Sequence, residues 1–72
     1  MSNEINIFKQ KAGSNPKYSH SVFGDDQAGT DELIRIAECD RNGNNDEQIN
    51  EAIESMESSY CYDQTTYFFE TN

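Results

Sequence analysis

The amino-acid sequence predicts a small α+β domain, because two kinds of hydrophobic periodicity occur in one short chain. Two N-terminal segments alternate apolar and polar residues, as half-buried strands do. A segment in the C-terminal half places its apolar residues three and four positions apart, as an amphipathic helix does. The chain has 72 residues, enough for one domain. We therefore expect residues 1–72 to form a single small acidic domain in which an antiparallel sheet packs against two helices, in the order ββααβ.

A β-hairpin is predicted at the N-terminus. Ile5 and Ile7 alternate with polar neighbours in EINIFKQKA, and the segment KYSHSVF at residues 17–23 alternates again. The stretch GSNP between them has the composition of a turn, since glycine tolerates positive φ and proline fixes its own. GDDQAG, residues 24–29, is then expected to be a flexible acidic connector.

Two helices and one strand are predicted to follow. Thr30 is expected to cap the first helix, with Asp31 and Glu32 in its first turn, where the helix dipole favours acids. The second helix is expected to begin near Asn45. Its apolar stripe consists of Ile49, Ala52, Ile53, Met56 and Tyr60. The C-terminal segment CYDQTTYFFETN, rich in β-branched and aromatic residues, is predicted to be the last strand.

The stretch DRNGNNDEQINE, residues 40–51, resembles an EF-hand loop because oxygen-bearing side chains stand at its first, third, fifth, seventh and twelfth positions. Asn45 replaces the usual glycine at the sixth position, and Glu47 occupies the eighth position, where an apolar residue packs. A turn followed by a helix cap accounts for more of the stretch. Gly43 would end the first helix in the left-handed conformation, and Asn45 with Gln48 would form a capping box. Weak EF-hand-like calcium binding remains the alternative.

The remaining reactive side chains form no recognisable site. His20 is the single histidine and is expected to be a partly buried packing residue. Cys39 and Cys61 are far apart in sequence and are expected to be reduced and half-buried. One histidine and two separated cysteines are too few for a zinc site. We therefore expect no catalytic residue, no metal, no cofactor and no enzymatic activity.

Charge is the most informative property of the sequence. The net charge is −9, from 14 acidic and 5 basic residues. Residues 1–24 hold one acid and three lysines, a net of +2, whereas residues 25–72 hold 13 acids and two arginines, a net of −11. Such a chain repels nucleic acids and anionic membranes, so its expected partner is a basic surface. With neither a signal-peptide pattern nor a long apolar run, a cytoplasmic location is expected, the host cytoplasm if a phage encodes it.

An acidic face of the second helix is the candidate partner-binding site. Its glutamates have no lysine or arginine four positions further on, so like-charge repulsion along the helix is uncompensated. The predicted site comprises Glu47, Glu51, Glu54 and Glu57, extended by Asp25, Asp26, Asp31 and Glu32, with Tyr62 as a candidate aromatic anchor. The alternative is a solvated helix face that keeps the protein soluble.

In size, charge and absence of motifs, the chain is similar to the small acidic proteins with which bacteriophages block the nucleic-acid-binding defence enzymes of their hosts. Anti-restriction and anti-CRISPR proteins are among them. The resemblance is one of composition and transfers no site residues. It implies a non-enzymatic, DNA-mimic-like inhibitor that blocks the basic nucleic-acid-binding groove of a protein without binding nucleic acid itself. A general protein-interaction adaptor module is the other hypothesis, besides calcium binding.

Overall fold

The computed structural model describes residues 3–72 and confirms the α+β class. The elements are β1 (Asn3–Lys11), β2 (Lys17–Gly24), α1 (Asp26–Arg41), α2 (Glu47–Glu54), β3 (Ser59–Tyr62) and β4 (Thr65–Thr71). The strands form one antiparallel sheet in the order β2-β1-β4-β3. Both N-terminal strands lie where the alternating pattern predicts them. The observed order of elements is ββααββ, with one strand more than the sequence predicts.

The additional strand arises because the C-terminal segment forms a hairpin. Asp63 and Gln64 connect β3 to β4, and both have positive φ, 51° and 64°. Two consecutive residues with positive φ are typical of the type I′ turn, whose twist matches that of a two-residue hairpin. Asp-Gln lacks the glycine that usually marks this turn, and for that reason the sequence reads as a single strand.

Helix α1 begins four residues before the predicted cap at Thr30. Its N-cap is Asp25, whose carboxylate accepts a hydrogen bond from the backbone N–H of Ala28 at 3.2 Å. Most of the predicted connector is therefore the first turn of the helix. Thr30 lies inside α1, and its hydroxyl donates to the backbone carbonyl of Glu57 at 3.0 Å. Asp31 also lies beyond the first turn, so it gains less from the helix dipole than expected.

The connection between the helices is a turn and a cap, as predicted, with the caps displaced by one residue. Asn42 ends α1 in the left-handed conformation (φ 51°), and Gly43 continues left-handed after it (φ 76°). Asp46, rather than Asn45, caps α2, because its carboxylate accepts from the backbone N–H groups of Gln48 and Ile49 at 3.0 and 3.2 Å.

Helix α2 is shorter than its apolar periodicity suggests. It ends at Glu54, so Met56 and Glu57 lie beyond it and Tyr60 is on β3. The spacing of three and four residues that continues to Tyr60 therefore does not come from one helix. Tyr60 nevertheless reaches the same core as the helix, since its side chain is 2% exposed.

The core lies between one face of the sheet and the two helices. It comprises Ile5, Ile7, Leu33, Ile36, Ala37, Ile49 and Tyr60. Gly29 is buried within α1, and the ring of Phe69 on β4 occupies the space that a Cβ at residue 29 would need, with a ring carbon 2.5 Å away. This contact brings α1 close to the sheet.

The opposite face of the sheet is not covered by either helix. Phe8 stacks on Phe68 across β1 and β4 with ring centroids 5.3 Å apart, and Tyr18 approaches Phe8 edge-on at 6.1 Å. Tyr18 is 60% exposed and Phe23, on the same strand, is 69% exposed. The open face is therefore aromatic, whereas the helical side of the molecule carries most of the acids.

Candidate acidic interaction surface

Four glutamates of the predicted site present free carboxylates. Glu47, Glu51, Glu54 and Glu57 are exposed, and none of their carboxylates has a hydrogen-bond or ion-pair partner within residues 3–72. The first three project from one side of α2, opposite the buried Ile49. At 1.5 Å per residue they are separated by roughly 6 and 4.5 Å along the helix axis. We call Glu47, Glu51 and Glu54 the α2 ladder.

Glu57 is close to the α2 ladder but is not part of the helix, which corrects the prediction of four carboxylates on one helix. It follows the C-cap residue Ser55, and its backbone carbonyl accepts the hydrogen bond from Thr30 of α1. The segment after α2 is thereby held against α1. Glu57 adds charge near the end of the ladder.

The acids predicted to extend the site have local structural roles. Asp25 caps α1, and Asp26 accepts a hydrogen bond from the hydroxyl of Thr71 at 2.7 Å. Asp31 accepts from the side-chain amide of Gln27 at 2.9 Å. All three aspartates remain exposed. They contribute to the negative field, but their carboxylates also hold α1 and the end of β4 in place.

Glu32 is the least exposed acid of the predicted site. Its side chain is 11% exposed, and it lies between Arg35 (2.7 Å) and His20 (2.5 Å). The hydrogen bonds from Arg35 and, to a smaller extent, from His20 hold the pKa of the Glu32 carboxyl below its usual value against the opposing effect of burial. His20, expected to be a packing residue, is therefore a hydrogen-bonding link between β2 and α1.

Two tyrosines of β3 anchor the loop that resembles an EF-hand. The Tyr60 hydroxyl donates to Asp40 at 2.9 Å, and the Tyr62 hydroxyl donates to Asp46 at 2.8 Å. Asp40 and Asp46 are the first and seventh residues of the loop-like stretch. The hydrogen bond from Tyr62 and, to a smaller extent, the backbone hydrogen bonds of the cap keep the pKa of the Asp46 carboxyl below its usual value.

These hydrogen bonds give Tyr62 and the loop-like stretch structural roles that the sequence did not predict. Tyr62, predicted to be an aromatic anchor for a partner, is half-buried and fastens β3 to the cap of α2. Residues 3–72 contain no group of three or more His, Cys, Asp or Glu side chains arranged to hold a metal ion. The hydrogen bonds were not visible in the sequence, because each tyrosine lies 16 or 20 residues from its aspartate.

Few of the acids are neutralised by basic side chains. Among the described residues, ion pairs involve only Glu32, with His20 and Arg35, and Glu38, whose carboxylate is 3.9 Å from Arg41. Arg41 makes a shorter contact, 2.6 Å, with the side-chain carbonyl of Asn50. The negative charge of the helical side is thus largely uncompensated within the molecule.

The cysteines differ from the prediction in burial. Cys39 and Cys61 are both free thiols, and both are exposed rather than half-buried. Cys39 lies on the solvent side of α1, where Arg35 approaches its sulfur at 3.9 Å, and Cys61 lies on the edge strand β3. Neither contributes to the core.

Comparison with known proteins identifies no relative of this chain. No protein-family model, curated protein or solved structure matches the chain. Within residues 3–72, neither helix has the length and apolar character needed to cross a membrane.

Proposed function

We propose that the protein is a non-enzymatic inhibitor that places the α2 ladder against the basic nucleic-acid-binding groove of another protein. The observation that supports the proposal is the state of the ladder: Glu47, Glu51 and Glu54 project from one side of a helix, exposed and without an ion-pair partner within residues 3–72. A groove that binds phosphates offers the lysines and arginines that this arrangement lacks.

The spacing of the ladder is compatible with this role. Phosphates of one DNA strand advance by about 3.4 Å along the duplex axis and stand further apart along the strand itself. The carboxylates, roughly 4.5–6 Å apart along α2, are likewise spaced more widely than 3.4 Å. Competition with nucleic acid would depend on charge, so binding should weaken steeply as salt rises.

A general interaction module is the second candidate, and it is favoured by the exposed aromatic face around Tyr18 and Phe23. An interface built on that face would bury apolar area and would respond little to salt. The two hypotheses therefore assign the partner to opposite sides of the molecule. Substitutions on each side distinguish them.

The test begins with capture of binding proteins from a bacterial lysate at low salt. Two charge-matched variants are compared with wild type: Glu51→Lys/Glu54→Lys on α2 and Glu4→Lys/Glu70→Lys, whose register places both residues on the open face. Both variants change the net charge equally. Circular dichroism melts verify folding, and a mobility-shift assay then measures whether the captured protein still binds its nucleic acid.

We expect wild type to displace nucleic acid from the captured protein and the α2 variant to require a concentration about tenfold higher or more, since attractive pairs become repulsive. The Glu4/Glu70 variant should retain most of the activity. Equal loss in both variants would mean that overall charge, not the ladder, is responsible. A captured protein that binds nucleic acid equally well with and without the inhibitor would contradict the proposal.

A further inference from the structure

Strand β2 forms one edge of the sheet and leaves the backbone groups of its outer side without a strand partner in the described chain. At eight residues it is twice as long as the other edge strand, β3. Long edge strands are templates for pairing with another chain unless charges, prolines or distortions prevent it. Residues 18–24 of β2, YSHSVFG, contain no Lys, Arg, Asp or Glu.

A β-bulge brings the two most exposed aromatic residues of β2 to one face. Ile7 pairs with His20 and Phe8 with Tyr18, so Ser19 is an extra residue in β2.

Phe23 pairs with Glu4, which lies on the same face of β1 as Phe8, since residues an even number of positions apart in a strand share a face. Tyr18 and Phe23 therefore both lie on the open face, although five positions separate them in sequence.

This arrangement is self-complementary under a two-fold rotation. We propose that two copies of the chain pair antiparallel through β2, with the two-fold axis at Ser21. In this register, Tyr18 lies opposite Phe23 of the second copy on the open face, and the same pair recurs on the other side of the axis. Self-complementarity of this kind is what a two-fold interface requires, because one surface must match itself. Ser19 remains outside the pairing, as it does in the pairing with β1.

The ends of the paired strands are complementary in charge. Lys17 lies opposite Gly24 of the second copy, next to Asp25, and the two-fold axis repeats this contact. Elsewhere two copies repel each other, because residues 25–72 carry a net charge of −11. β2 belongs to the part of the chain with a net charge of +2. Pairing at this edge also keeps the acidic helices of both copies exposed, so it does not depend on the inhibitor function.

The first test is the mass of the full chain in solution. We expect sedimentation equilibrium to show a rise from the 8.2 kDa monomer towards twice that mass as the concentration increases into the millimolar range. Raising the salt concentration should strengthen self-association, because it screens the repulsion between two negative molecules. Phe23→Thr and Tyr18→Thr should each weaken dimerisation while leaving the fold intact, since both side chains are mostly exposed.

A second test reports the register. In a Cys39→Ser/Cys61→Ser background, Ser21→Cys places two thiols across the proposed axis, and directly opposed residues of antiparallel strands are close enough for a disulfide. Mild oxidation should then give a covalent dimer. The matched control is Ser59→Cys, an exposed serine on the other edge strand, which should remain monomeric.

A monomer mass at every concentration and salt would refute the proposal. So would a dimer that is insensitive to Phe23→Thr, or a covalent dimer that forms as readily through Ser59→Cys as through Ser21→Cys. If a different partner occupies β2, the chain alone stays monomeric and the proposal fails on the first test. Failure here leaves the nucleic-acid competition assay unaffected, because that assay reports on α2.

Discussion

The contact between Gly29 and Phe69 leads to a prediction with an unusual sign. In most exposed helix positions, replacing glycine by alanine stabilises a protein by about 1 kcal/mol, because alanine has the higher helix propensity. Here an added Cβ would lie 2.5, 2.6 and 2.8 Å from three carbons of the Phe69 ring. To restore an ordinary contact of 3.5–4.0 Å, the ring has to move by roughly 1 Å.

We expect Gly29→Ala to destabilise the fold by about 1–2 kcal/mol. Overpacking of a core costs about 1–3 kcal/mol, and three close ring contacts place this site in the upper part of that range. The propensity gain offsets part of the cost. Urea unfolding followed by circular dichroism measures the change. With an m-value of about 1 kcal/mol/M for a small domain, the midpoint should fall by roughly 1–2 M.

A double-mutant cycle with Phe69→Leu isolates the cause. The smaller side chain frees the space next to residue 29, so Gly29→Ala should become neutral or stabilising in that background. A higher midpoint for Gly29→Ala in the wild-type background would show that the Phe69 ring does not oppose the added methyl group. An equal effect of the substitution with and without the Phe69 ring would show the same.

Two further predictions concern the tyrosine-anchored loop. Burial, reinforced by the hydrogen bond to Asp40, raises the pKa of Tyr60 above its usual value. The protonated Tyr60 side chain therefore contributes its full stabilisation below the unfolded-state pKa of about 10, and this stabilisation is lost as pH rises towards the folded-state pKa. The free energy of unfolding should therefore fall above about pH 10, and Tyr60→Phe should remove much of this decline. If the decline is unchanged in Tyr60→Phe, the titration of Tyr60 is not its cause. Millimolar calcium should leave the thermal midpoint and the amide spectrum of residues 40–51 unchanged, and a one-to-one heat of binding by calorimetry would show that the EF-hand interpretation is correct.

The sequence predicts those parts of the fold that depend on local periodicity. Alternation around Ile5 and Ile7 indicates the N-terminal hairpin, and the stripe around Ile49 indicates α2. Those patterns are strong because each element has one buried face. The boundaries are less predictable. Thr30 and Asp25 are both good capping residues, and the sequence does not show that α1 continues through Gly29, which packs on Phe69, forty residues away in sequence.

Two sequence-based predictions for the second half of the chain, the length of α2 and the number of C-terminal strands, were wrong. Met56 and Tyr60 continue the helical spacing after the helix has ended, because the turn and β3 happen to place apolar residues at similar intervals. The turn at Asp63 and Gln64 uses left-handed conformations without glycine, so it has no clear signal.

Exposure of the α2 ladder was predictable, since Glu47, Glu51 and Glu54 lie opposite an apolar stripe. The hydrogen bonds of the other acids were not, because they depend on residues brought together by the fold. Tyr62 is the clearest example: its aromatic ring suggests a binding anchor, but its hydroxyl is bound to Asp46 at 2.8 Å.

Two sets of acids in this protein differ in their bonding, and the difference determines how its function can be tested. Five aspartates, Asp25, Asp26, Asp31, Asp40 and Asp46, accept side-chain or capping hydrogen bonds. The short aspartate side chain suits such roles because it holds its carboxylate close to the backbone. The ladder glutamates make no such bonds and extend into solvent. Substitutions of these aspartates would therefore mix a loss of stability with any loss of binding, whereas we expect reversal of Glu51 and Glu54, which lie beyond the first turn of α2, to preserve the fold.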